Sequence, residues 1–398
     1  MRPAPLLLAI MATGAAAQVP PVQSAQPAAG AAIDYAGDAK ALDRLIVENY
    51  AYQDHWPGGV LPDSDVLARE RAAVHDRDSL LHYAEDRIAS LADHHAITGA
   101  SFKDSWAIVP TYADLWIVRR GGDYIVDAVK RDSPAAAAGL VAGDRLIAVA
   151  GVPVSRAVAG YWQALGLPET GERDDYAARV LAAGRRDRPR DLTIEQDGKP
   201  HRLTLPSLYT LPNDQPAVTR YSAGRGRTLL RINNSLGDQA TIAAFDAAMA
   251  ALPPKAPLEI DLTDTPSGGN TSVARGMMSW FVQRPAAYQV HNLPAEERET
   301  GIARQWIEQV LPRAGKYRAG SVRVRVGRWT GSMGEGLAIG FRAIGAEVCG
   351  GAMAALRGAV YDFSLPSSGM VVKFPAERLS TTDGLPRETF MPPDCSTD

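Results

Sequence analysis

The sequence predicts a multi-domain α+β protein, in which a helical amino-terminal subdomain precedes a β-rich middle domain and a carboxyl-terminal α/β domain. The chain has 398 residues, whereas one domain usually has about 50–250 residues. Its apolar residues recur first at helical spacing, then in short alternating runs, and finally in runs that alternate between strand and helix patterns. Hydrophobic residues make up 46% and charged residues 22% of the chain, as is usual for folded domains.

The charge balance of the chain argues against one class of function. There are 42 basic and 45 acidic side chains, and the formal net charge is −3. No overall positive field therefore draws the protein to nucleic acid or to anionic lipid. We expect no nucleic-acid partner, and the sequence leaves the oligomeric state open.

The first residues have the pattern of an export signal. Arg2 precedes a short apolar run, and a series of small residues ends at Ala17, so we predict a removable signal peptide over residues 1–17. The alternative is a membrane anchor, but the run is shorter than the ~20 apolar residues that cross a bilayer, and no later segment is long enough. We predict a flexible linker rich in Ala and Pro over residues 18–36 and a periplasmic or secreted location.

Two different periodicities follow the linker. Residues 37–100 have apolar side chains at three- and four-residue spacing, which predicts a helical subdomain. Residues 101–208 contain short β-rich runs between turn residues. Two of these runs flank Asp197 and Gly198, which is a hairpin signal.

Cap and turn residues are combined in the segment from residue 133 to residue 154. Ser133 and Pro134 suit the N-cap and the first position of a short helix, while Gly139 and Gly143 stand where the backbone needs positive φ. The alternative is an ordinary helix–turn–strand connection. The segment resembles the centre of a PDZ domain, which implies a PDZ domain over the whole β-rich region and an extended peptide as its ligand. The loop that would take a terminal carboxylate lacks the usual glycines, so binding of peptide ends is left open.

Residues 209–398 alternate between strand and helix patterns, which predicts a parallel-type sheet with crossover helices. Ligands of such sheets bind at the carboxyl ends of the strands. Two loops are expected at that edge, one after a strand that ends near Leu262 and one after a strand that ends near Trp329. The segment from Gly301 to Leu311 is predicted to be a helix that covers the site.

Ser332 follows the second of these strands and stands at the start of a predicted helix. Free N–H groups and the positive end of the helix dipole favour a developing anion there, which suits an acyl-transfer nucleophile. The alternative is a capping box, in which Ser332 and Glu335 only satisfy backbone donors.

Gly268 and Gly269 stand in the first loop, immediately before another predicted helix. Their backbone N–H groups are able to approach a substrate closely, and two such donors form an oxyanion hole. The alternative is a flexible entry to the helix. Phosphate binding is disfavoured, because the dinucleotide motif and the P-loop lysine are both missing.

Cys349 and Cys395 are the two cysteines of the chain. In an oxidising compartment they are able to form one disulfide that closes the final segment onto the preceding domain. The alternative is two separate thiols, since sequence does not fix the distance between the Cα atoms. No histidine at ligand spacing accompanies them, so there is no zinc signature, and we expect no metal or organic cofactor.

The order of these features resembles the family of C-terminal-processing and tricorn-core-type serine peptidases. It comprises an export signal, helical subdomain and PDZ domain, then a strand whose loop closes on Gly268 and Gly269, and a strand that leads to Ser332 and Glu335. The resemblance covers nearly the whole chain that remains after signal removal. It implies crotonase/ClpP-like ββα units in a catalytic α/β domain over residues 209–398, and a peptide or protein as the substrate.

The residue 25 positions after Ser332 distinguishes two branches of this family. The processing-protease branch has a lysine base there, whereas this chain has Arg357. Arginine stays protonated at any working pH, because its pKa lies above about 12. The sequence therefore disfavours a Ser/Lys mechanism.

The other branch, which includes the tricorn core, takes a histidine from the amino-terminal subdomain and a glutamate near the carboxyl end. The stretch from Leu91 to His95 matches the histidine motif and points to His95, and Glu388, shortly before a Pro-Asp pair, matches the glutamate. The family pattern has a serine where this chain has His94. His94 is therefore a second candidate for the base, and the fourth member of the relay is left open.

The resemblance implies a Ser-His-Glu relay. In it Ser332 is the nucleophile, His95 is the general base and acid, and Glu388 orients the imidazole. The other histidines have no motif around them and are predicted to be surface or structural residues: His55, His75, His82, His201 and His291.

The sequence thus predicts an exported serine peptidase, and two alternatives are left open. A catalytically inactive scaffold that binds peptide ends is favoured by Arg357 at the lysine position. Another acyl hydrolase, such as an esterase, would use the same groups. The joint presence of Ser332, His95, Glu388 and the double glycine favours catalysis, because a pure binding protein does not need them. The cleavage preference, and whether the enzyme is an endo- or exopeptidase, leave no signature in the sequence.

Overall fold

The computed structural model describes residues 32–109, 113–212, 214–222, 226–266 and 268–395. The predicted signal peptide and most of the predicted linker lie outside these residues. The linker prediction extends to residue 36, but the first helix already begins at Tyr35, because Asp34 caps it by accepting a hydrogen bond from the N–H of Gly37 at 2.7 Å.

Three helices form the amino-terminal subdomain, as the periodicity predicts. Ser64 caps the second helix, and Asp76 and Ser79 form a capping box at the start of the third. A core that includes Leu42, Ile46 and Leu80 lies between them. The helices are α1 (Tyr35–Asn49), α2 (Asp65–Ala73) and α3 (Arg77–Ala89).

A two-stranded connection joins this subdomain to the last domain. The short strand β1 (Ile97–Thr98) pairs antiparallel with β16 (Val371–Ser380), and Ile97 is the partner of Lys373. This pairing places the turn between α3 and β1 beside the carboxyl-terminal domain.

The middle domain contains an antiparallel sheet in the order β2-β3-β4-β6-β7, with β5 paired to β4. Ser133 caps the short helix, as predicted, by accepting the N–H of Ala136 at 3.2 Å. Asp197 and Gly198 both have positive φ in the predicted hairpin. The elements are β2 (Leu115–Arg120), β3 (Asp123–Val129), α4 (Pro134–Ala137), β4 (Arg145–Val149), β5 (Val152–Pro153), α5 (Val154–Ala164), α6 (Gly171–Ala183), β6 (Arg190–Gln196) and β7 (Lys199–Leu205).

The carboxyl-terminal domain contains the predicted parallel sheet, in the order β14-β13-β10-β9-β8. The strands β9, β10, β13 and β14 pair in parallel, and β8 is antiparallel to β9. The elements are β8 (Val218–Ser222), β9 (Thr228–Ile232), α7 (Ala240–Ala250), β10 (Leu258–Asp261), α8 (Thr271–Met278), β13 (Val322–Arg325), α10 (Met333–Ala343) and β14 (Glu347–Cys349).

A second sheet in this domain is not predicted by the sequence pattern. It has the order β1-β16-β11-β12, with β15 also paired to β16, and all its pairs are antiparallel. Its remaining elements are β11 (Ala286–Asn292), α9 (Pro294–Thr300), β12 (Gln305–Val310) and β15 (Ala359–Ser364).

The helix predicted between Gly301 and Leu311 is wrong, because that segment contains strand β12. Along the strand, the exposed residues alternate with Trp306, Glu308 and Val310, which are turned inwards. This period of two is that of a strand with one covered face. The predicted lid helix is therefore an edge strand of the second sheet.

Cys349 and Cys395 form a disulfide in the structure, with 4.8 Å between their Cα atoms. Near this bond, the N–H of Gly350 donates to the carbonyl oxygen of Pro393 at 2.8 Å. The final segment is thus attached to the end of strand β14. The described helices include none that is long and apolar enough to cross a membrane.

Candidate active site

Ser332 lies on a sharp turn between the end of the parallel sheet and helix α10. Its φ of 52° and ψ of −116° are unusual for a residue with a side chain, and such a backbone conformation costs about 1–3 kcal/mol. The capping box that the sequence offered as an alternative is also present, because the Ser332 N–H donates to Oε2 of Glu335 at 2.8 Å. The cap holds the turn while the Ser332 hydroxyl faces the cleft.

Two buried threonines join the loops that follow β10 and β13. The N–H of Thr265 donates to the carbonyl oxygen of Trp329 at 2.9 Å, and the N–H of Gly331 donates back to Thr265 at 3.0 Å. Oγ1 of Thr330 donates to the carbonyl oxygen of Leu262 at 2.8 Å. A Cβ at Gly331 would lie 2.5 Å from the carbonyl oxygen of Pro266, so this close approach requires glycine.

Gly268 and Gly269 lie beside Ser332 in the same cleft. A Cβ at Gly269 would overlap the side chain of Met333, the residue after Ser332. The N–H groups of Gly268, Gly269 and Met333 donate no hydrogen bond to any other described residue. The cleft therefore offers backbone donors near the serine hydroxyl, as an oxyanion hole requires.

His95 reaches Ser332 from the turn after α3. Its Nε2 lies 3.0 Å from Oγ of Ser332. Asp93 fixes the turn by accepting the N–H of His95 at 2.9 Å and the hydroxyl of Tyr50 at 2.8 Å. The pairing of β1 with β16 holds the turn against the last domain. Residues 237 positions apart in sequence are thus in hydrogen-bond contact.

The other ring nitrogen of His95 faces a backbone carbonyl. Nδ1 lies 2.6 Å from the carbonyl oxygen of Arg357. A carbonyl oxygen only accepts, so Nδ1 carries the proton and Nε2 presents its lone pair to the Ser332 hydroxyl. This is the tautomer that a general base for serine needs.

Two buried side chains hold the loop that carries this carbonyl. Arg387 donates to the carbonyl oxygens of Leu356 at 3.0 Å and Gly358 at 2.7 Å, one on each side of Arg357. Oε2 of Glu335 accepts the N–H of Leu356 at 3.2 Å. Glu335 therefore contacts both the serine turn and the loop that orients the histidine.

Glu388 does not occupy the place that the predicted relay gives it. The ring contacts of His95 go to Ser332 and Arg357. The carboxylate of Glu388 lies near Tyr52, where burial and then the charge of Glu388 raise the phenol pKa well above its usual value. The side chain that projects from the neighbouring position, Arg387, is the one that supports the loop.

His94, the second candidate for the base, has its contacts in other described residues than Ser332. Its Nδ1 lies 2.7 Å from the carbonyl oxygen of Ile108, and its ring stacks on Tyr176 with 4.5 Å between the ring centroids. Burial lowers the pKa of His94 to about 3. The ring packs against the middle domain rather than acting on the serine.

Burial also shifts the pKa values of the two ionisable groups nearest Ser332. It lowers the pKa of His95 to about 4, and the hydrogen bond to Arg357 only partly opposes this. It raises the pKa of Glu335 to about 7. His95 is therefore neutral at pH 7, as a base must be.

The side chain of Arg357 lies outside the Ser332–His95 contact. One of its nitrogens lies 2.9 Å from Nδ1 of His55 and also donates to Glu172 on α6. The Arg357 side chain is thus used for a contact between domains, and only the backbone of Arg357 reaches His95.

Sequence patterns did not assign three residues to the site. Arg387 directly precedes the predicted Glu388 but has no motif of its own. Gln289 and His291, on β11, line the cleft with Ser332 and are 1% and 7% exposed. His291 was predicted to be a surface or structural residue, whereas the structure places it in this cleft. The described residues include no cluster of three or more His, Cys, Asp or Glu side chains that could hold a metal ion.

Comparison with known proteins defines the class of the fold. Residues 125–165 match the PDZ domain family, which confirms the predicted domain type. The structure of mature CPAF complexed with lactacystin is 15% identical in sequence, with coverage of 90% of this chain and 93% of that chain and a TM-score of 0.55. The photosystem II D1 C-terminal processing protease is 15% identical over 90% of this chain and 92% of that chain, with a TM-score of 0.52.

The chain is therefore a PDZ-containing, multi-domain protein that shares its fold with CPAF and the D1 C-terminal processing protease. The predicted mixed helix and sheet architecture is confirmed. No curated protein matches the sequence.

Proposed function

We propose that the protein is an exported serine peptidase that hydrolyses peptide bonds through an acyl-enzyme. The observation that carries the proposal is the 3.0 Å contact between Oγ of Ser332 and Nε2 of His95, in a cleft lined by Gly268 and Gly269. The fold shared with CPAF and the D1 processing protease supports the same class of reaction.

In the proposed mechanism, His95 takes the proton of Ser332 as its Oγ attacks the scissile carbonyl. The tetrahedral oxyanion accepts hydrogen bonds from backbone N–H groups of the Gly268–Gly269 loop and of Met333. His95 then gives its proton to the leaving amine, the acyl-enzyme forms, and water attacks it by the reverse sequence. The carbonyl oxygen of Arg357 keeps the imidazole in the required tautomer.

This relay differs in one member from the Ser-His-Glu set that the sequence predicts. The orienting acceptor is a backbone carbonyl in place of the Glu388 carboxylate. A carbonyl dipole fixes the tautomer as a carboxylate does, but it stabilises the imidazolium less because it carries no full charge. The low pKa of His95 agrees with that weaker stabilisation.

We also propose that the chain is exported to the periplasm or secreted after removal of residues 1–17. The disulfide between Cys349 and Cys395 supports an oxidising compartment. We further propose that the α/β domain is built of crotonase/ClpP-like ββα units, since the antiparallel pair β8 and β9 leads directly into α7.

Labelling with a fluorophosphonate probe tests the nucleophile. We expect the parent and the control Ser222→Ala, at an exposed position of β8, to label on Ser332. We expect Ser332→Ala not to label, and His95→Ala to label at least about 10³-fold more slowly. A folded parent that does not label would favour the alternative of an inactive scaffold that binds peptide ends.

Cleavage of a denatured protein tests the leaving group. A peptidase releases fragments with new amino termini, and Ser332→Ala does not. Hydrolysis of activated esters without any new amino terminus would favour the alternative acyl hydrolase. The amino terminus of the exported chain, determined by sequencing, tests cleavage after Ala17.

A further inference from the structure

The cleft that contains Ser332 has a polar floor formed by strand β11. Gln289 and His291 are two positions apart, so their side chains lie on the same face of the strand. Both line the cleft of about 540 Å³ that also contains Ser332 and His95. Neither residue takes part in the proposed proton transfers.

His291 is held between two carboxylates. Its Nδ1 lies 2.7 Å from Oε2 of Glu377, its Nε2 lies 3.2 Å from Oε2 of Glu308, and its ring stacks on Trp306 with centroids 4.9 Å apart. Burial alone would lower the pKa of His291, but the hydrogen bonds and charges of the two glutamates outweigh it and raise the pKa to about 9. Both ring nitrogens are therefore donors at pH 7.

One end of the Gln289 carboxamide contacts His291, and the other end is unpartnered. The amide nitrogen faces Nε2 of His291 at 3.1 Å, and the amide oxygen has no hydrogen-bond partner among the described residues. Two donors cannot bond to each other. With His291 protonated, a half-turn of the carboxamide brings its oxygen to His291 and leaves its NH₂ group unpartnered.

The unpartnered end is buried against the first turn of α10. The position of a Cβ at Gly336, in the first turn of α10, would be 3.3 Å from the outer atom of the Gln289 carboxamide. Met333, which follows the nucleophile, packs against both Gly269 and Gly336. Its side chain therefore lies between the oxyanion loop and the floor and covers the end of the Gln289 carboxamide. A substrate residue beside the scissile bond would reach Gln289 by displacing the flexible Met333 side chain.

The charges around the floor balance one another. His291 and Arg275 face Glu308 and Glu377, and Arg275 pairs directly with Glu308. At the rim, Lys373 pairs with Asp362 at 2.8 Å, and the guanidinium of Arg387 is bonded to backbone carbonyls. A cationic substrate side chain would thus be buried without a free carboxylate to pair with, which is costly.

We propose that Gln289, oriented by His291, determines specificity by donating a hydrogen bond to the uncharged carboxamide of a substrate glutamine or asparagine beside the scissile bond. This inference rests on the proposed peptidase function and names its substrate class. The apolar walls, which include Ile97, Met333 and Val360, take the methylene groups of that side chain.

Matched peptides that differ only in Gln or Met beside the scissile bond test the proposal, because the two side chains have similar length. Cleavage sites are first located by digesting a mixed peptide library and sequencing the new termini. We expect the parent to cleave the Gln peptide with about 10- to 100-fold higher kcat/KM. We expect Gln289→Met to reverse the preference, and Gln309→Met, on the exposed face of β12, to leave it unchanged.

Gln289→Glu provides a second variant of nearly identical shape. Its carboxylate accepts from His291 and presents another acceptor to the cleft, so we expect the preference for Gln over Lys to fall at least tenfold. Circular dichroism and the rate of fluorophosphonate labelling of Ser332 establish that each variant is folded and has an intact nucleophile.

The outcomes separate this proposal from the proposed function. A parent that labels on Ser332 but cleaves Gln and Met peptides equally would overturn the role of Gln289 and leave the peptidase function in place. The same conclusion follows if Gln289→Met and Gln289→Glu both label normally and keep the parent preference. A folded parent that does not label at all would refute both.

Discussion

Ser332 occupies a backbone conformation that its own side chain does not favour. The surrounding contacts maintain it, because its N–H is bonded to Glu335 and the preceding glycine packs against Pro266. Residues in such conformations persist only where their neighbours hold them, and they concentrate at active sites. The positive φ of Ser332 therefore accords with a nucleophile, although a capping box accompanies it.

At the same scale, the contact of His95 with a carbonyl predicts a small role for Glu388. If Glu388 oriented His95, removing its charge would cost about 10⁴-fold in turnover, as in serine proteases with a carboxylate third member. The structure instead predicts that Glu388→Gln lowers the labelling rate of Ser332 less than tenfold. Labelling kinetics beside His95→Ala measure this, and a loss near 10⁴-fold would restore Glu388 to the relay.

The rate of Ser332 labelling should depend on pH through the ionisation of His95. The pKa of His95 is lowered to about 4 by burial, and the base is active only when neutral. We expect a labelling rate without a His95 limb between pH 6 and 8, and a tenfold fall per pH unit below about pH 4. A change in the labelling rate of the parent near pH 7 that is absent from Glu335→Gln would report the ionisation of Glu335. A single limb at the ordinary histidine pKa would contradict the burial of His95.

The same shift affects stability, and its sign follows from proton binding. In the unfolded chain His95 binds a proton as the pH falls below about 6.5, whereas in the folded protein it does so only near pH 4. The unfolded state therefore binds more protons in this interval. This contribution to stability is complete above pH 6.5 and is lost as the pH falls from 6.5 to 4.

At the scale of elements, the loop before β15 depends on a residue of the final segment. Arg387 bonds to carbonyl oxygens on both sides of Arg357, and the disulfide fixes the segment that follows. Arg387 is thus a positioning residue that acts on His95 through the loop. Neither its neighbours in sequence nor any motif reveals this, because its partners are backbone atoms about 30 residues away.

Arg387→Gln tests this role. We expect it to lower the free energy of unfolding by about 2–4 kcal/mol, because buried carbonyls lose their donors, and to slow labelling about 10- to 100-fold. Since the charge of Arg387 also lowers the pKa of His95, we expect the acidic limb to move to higher pH. A merely structural residue would leave that limb in place.

Arg342→Gln is the matched control for this prediction. Arg342 forms an exposed pair with Asp383 on the outer side of α10, and pairs of this kind contribute about 0–1 kcal/mol. Denaturant unfolding and the pH profile should both be close to those of the parent. Equal effects of the two substitutions would argue against a special role for Arg387.

Elements with a strong periodic signal were predictable from the sequence, and the second sheet was not. The parallel strands β9 and β10 are short runs in which Leu and Ile predominate over a few polar residues, and each is followed by a helix pattern. Strand β12 instead carries Gln and Glu between apolar residues, a short pattern that also fits a helix. Its identity depends on antiparallel pairing with β11, a strand about 20 residues earlier in the chain.

At the scale of the whole molecule, Arg357 connects three parts of the chain. Its side chain contacts His55 of the first subdomain and Glu172 on α6, while its carbonyl contacts His95. Helix α6 is thus joined to the loop that orients the proposed base. The edge strand β2 also contacts α6, because the N–H of Arg119 donates a hydrogen bond to Asp175 on that helix at 2.6 Å.

Arg357→Lys separates the backbone role from the side-chain role. A lysine presents its charge as one ammonium on a flexible stem and does not place it where the guanidinium nitrogen contacts His55 and Glu172, so we expect the free energy of unfolding to fall by up to about 1 kcal/mol. Because the carbonyl is unchanged, labelling of Ser332 should stay within about tenfold of the parent. Strong activation would mean that the site works by a Ser/Lys mechanism after all.

Local sequence patterns established which residue types are available and where strands end: Ser332 at a helix start, the double glycine, and a histidine motif after α3. These follow from local periodicity and turn chemistry, which depend on neighbours in the chain. Which atoms meet depends on the folded chain. It brought His95 to Ser332 through the pairing of β1 with β16, and it gave the orienting role to the carbonyl of Arg357. Backbone carbonyls are the same at every position, so no sequence pattern marks the one that folding places beside a histidine.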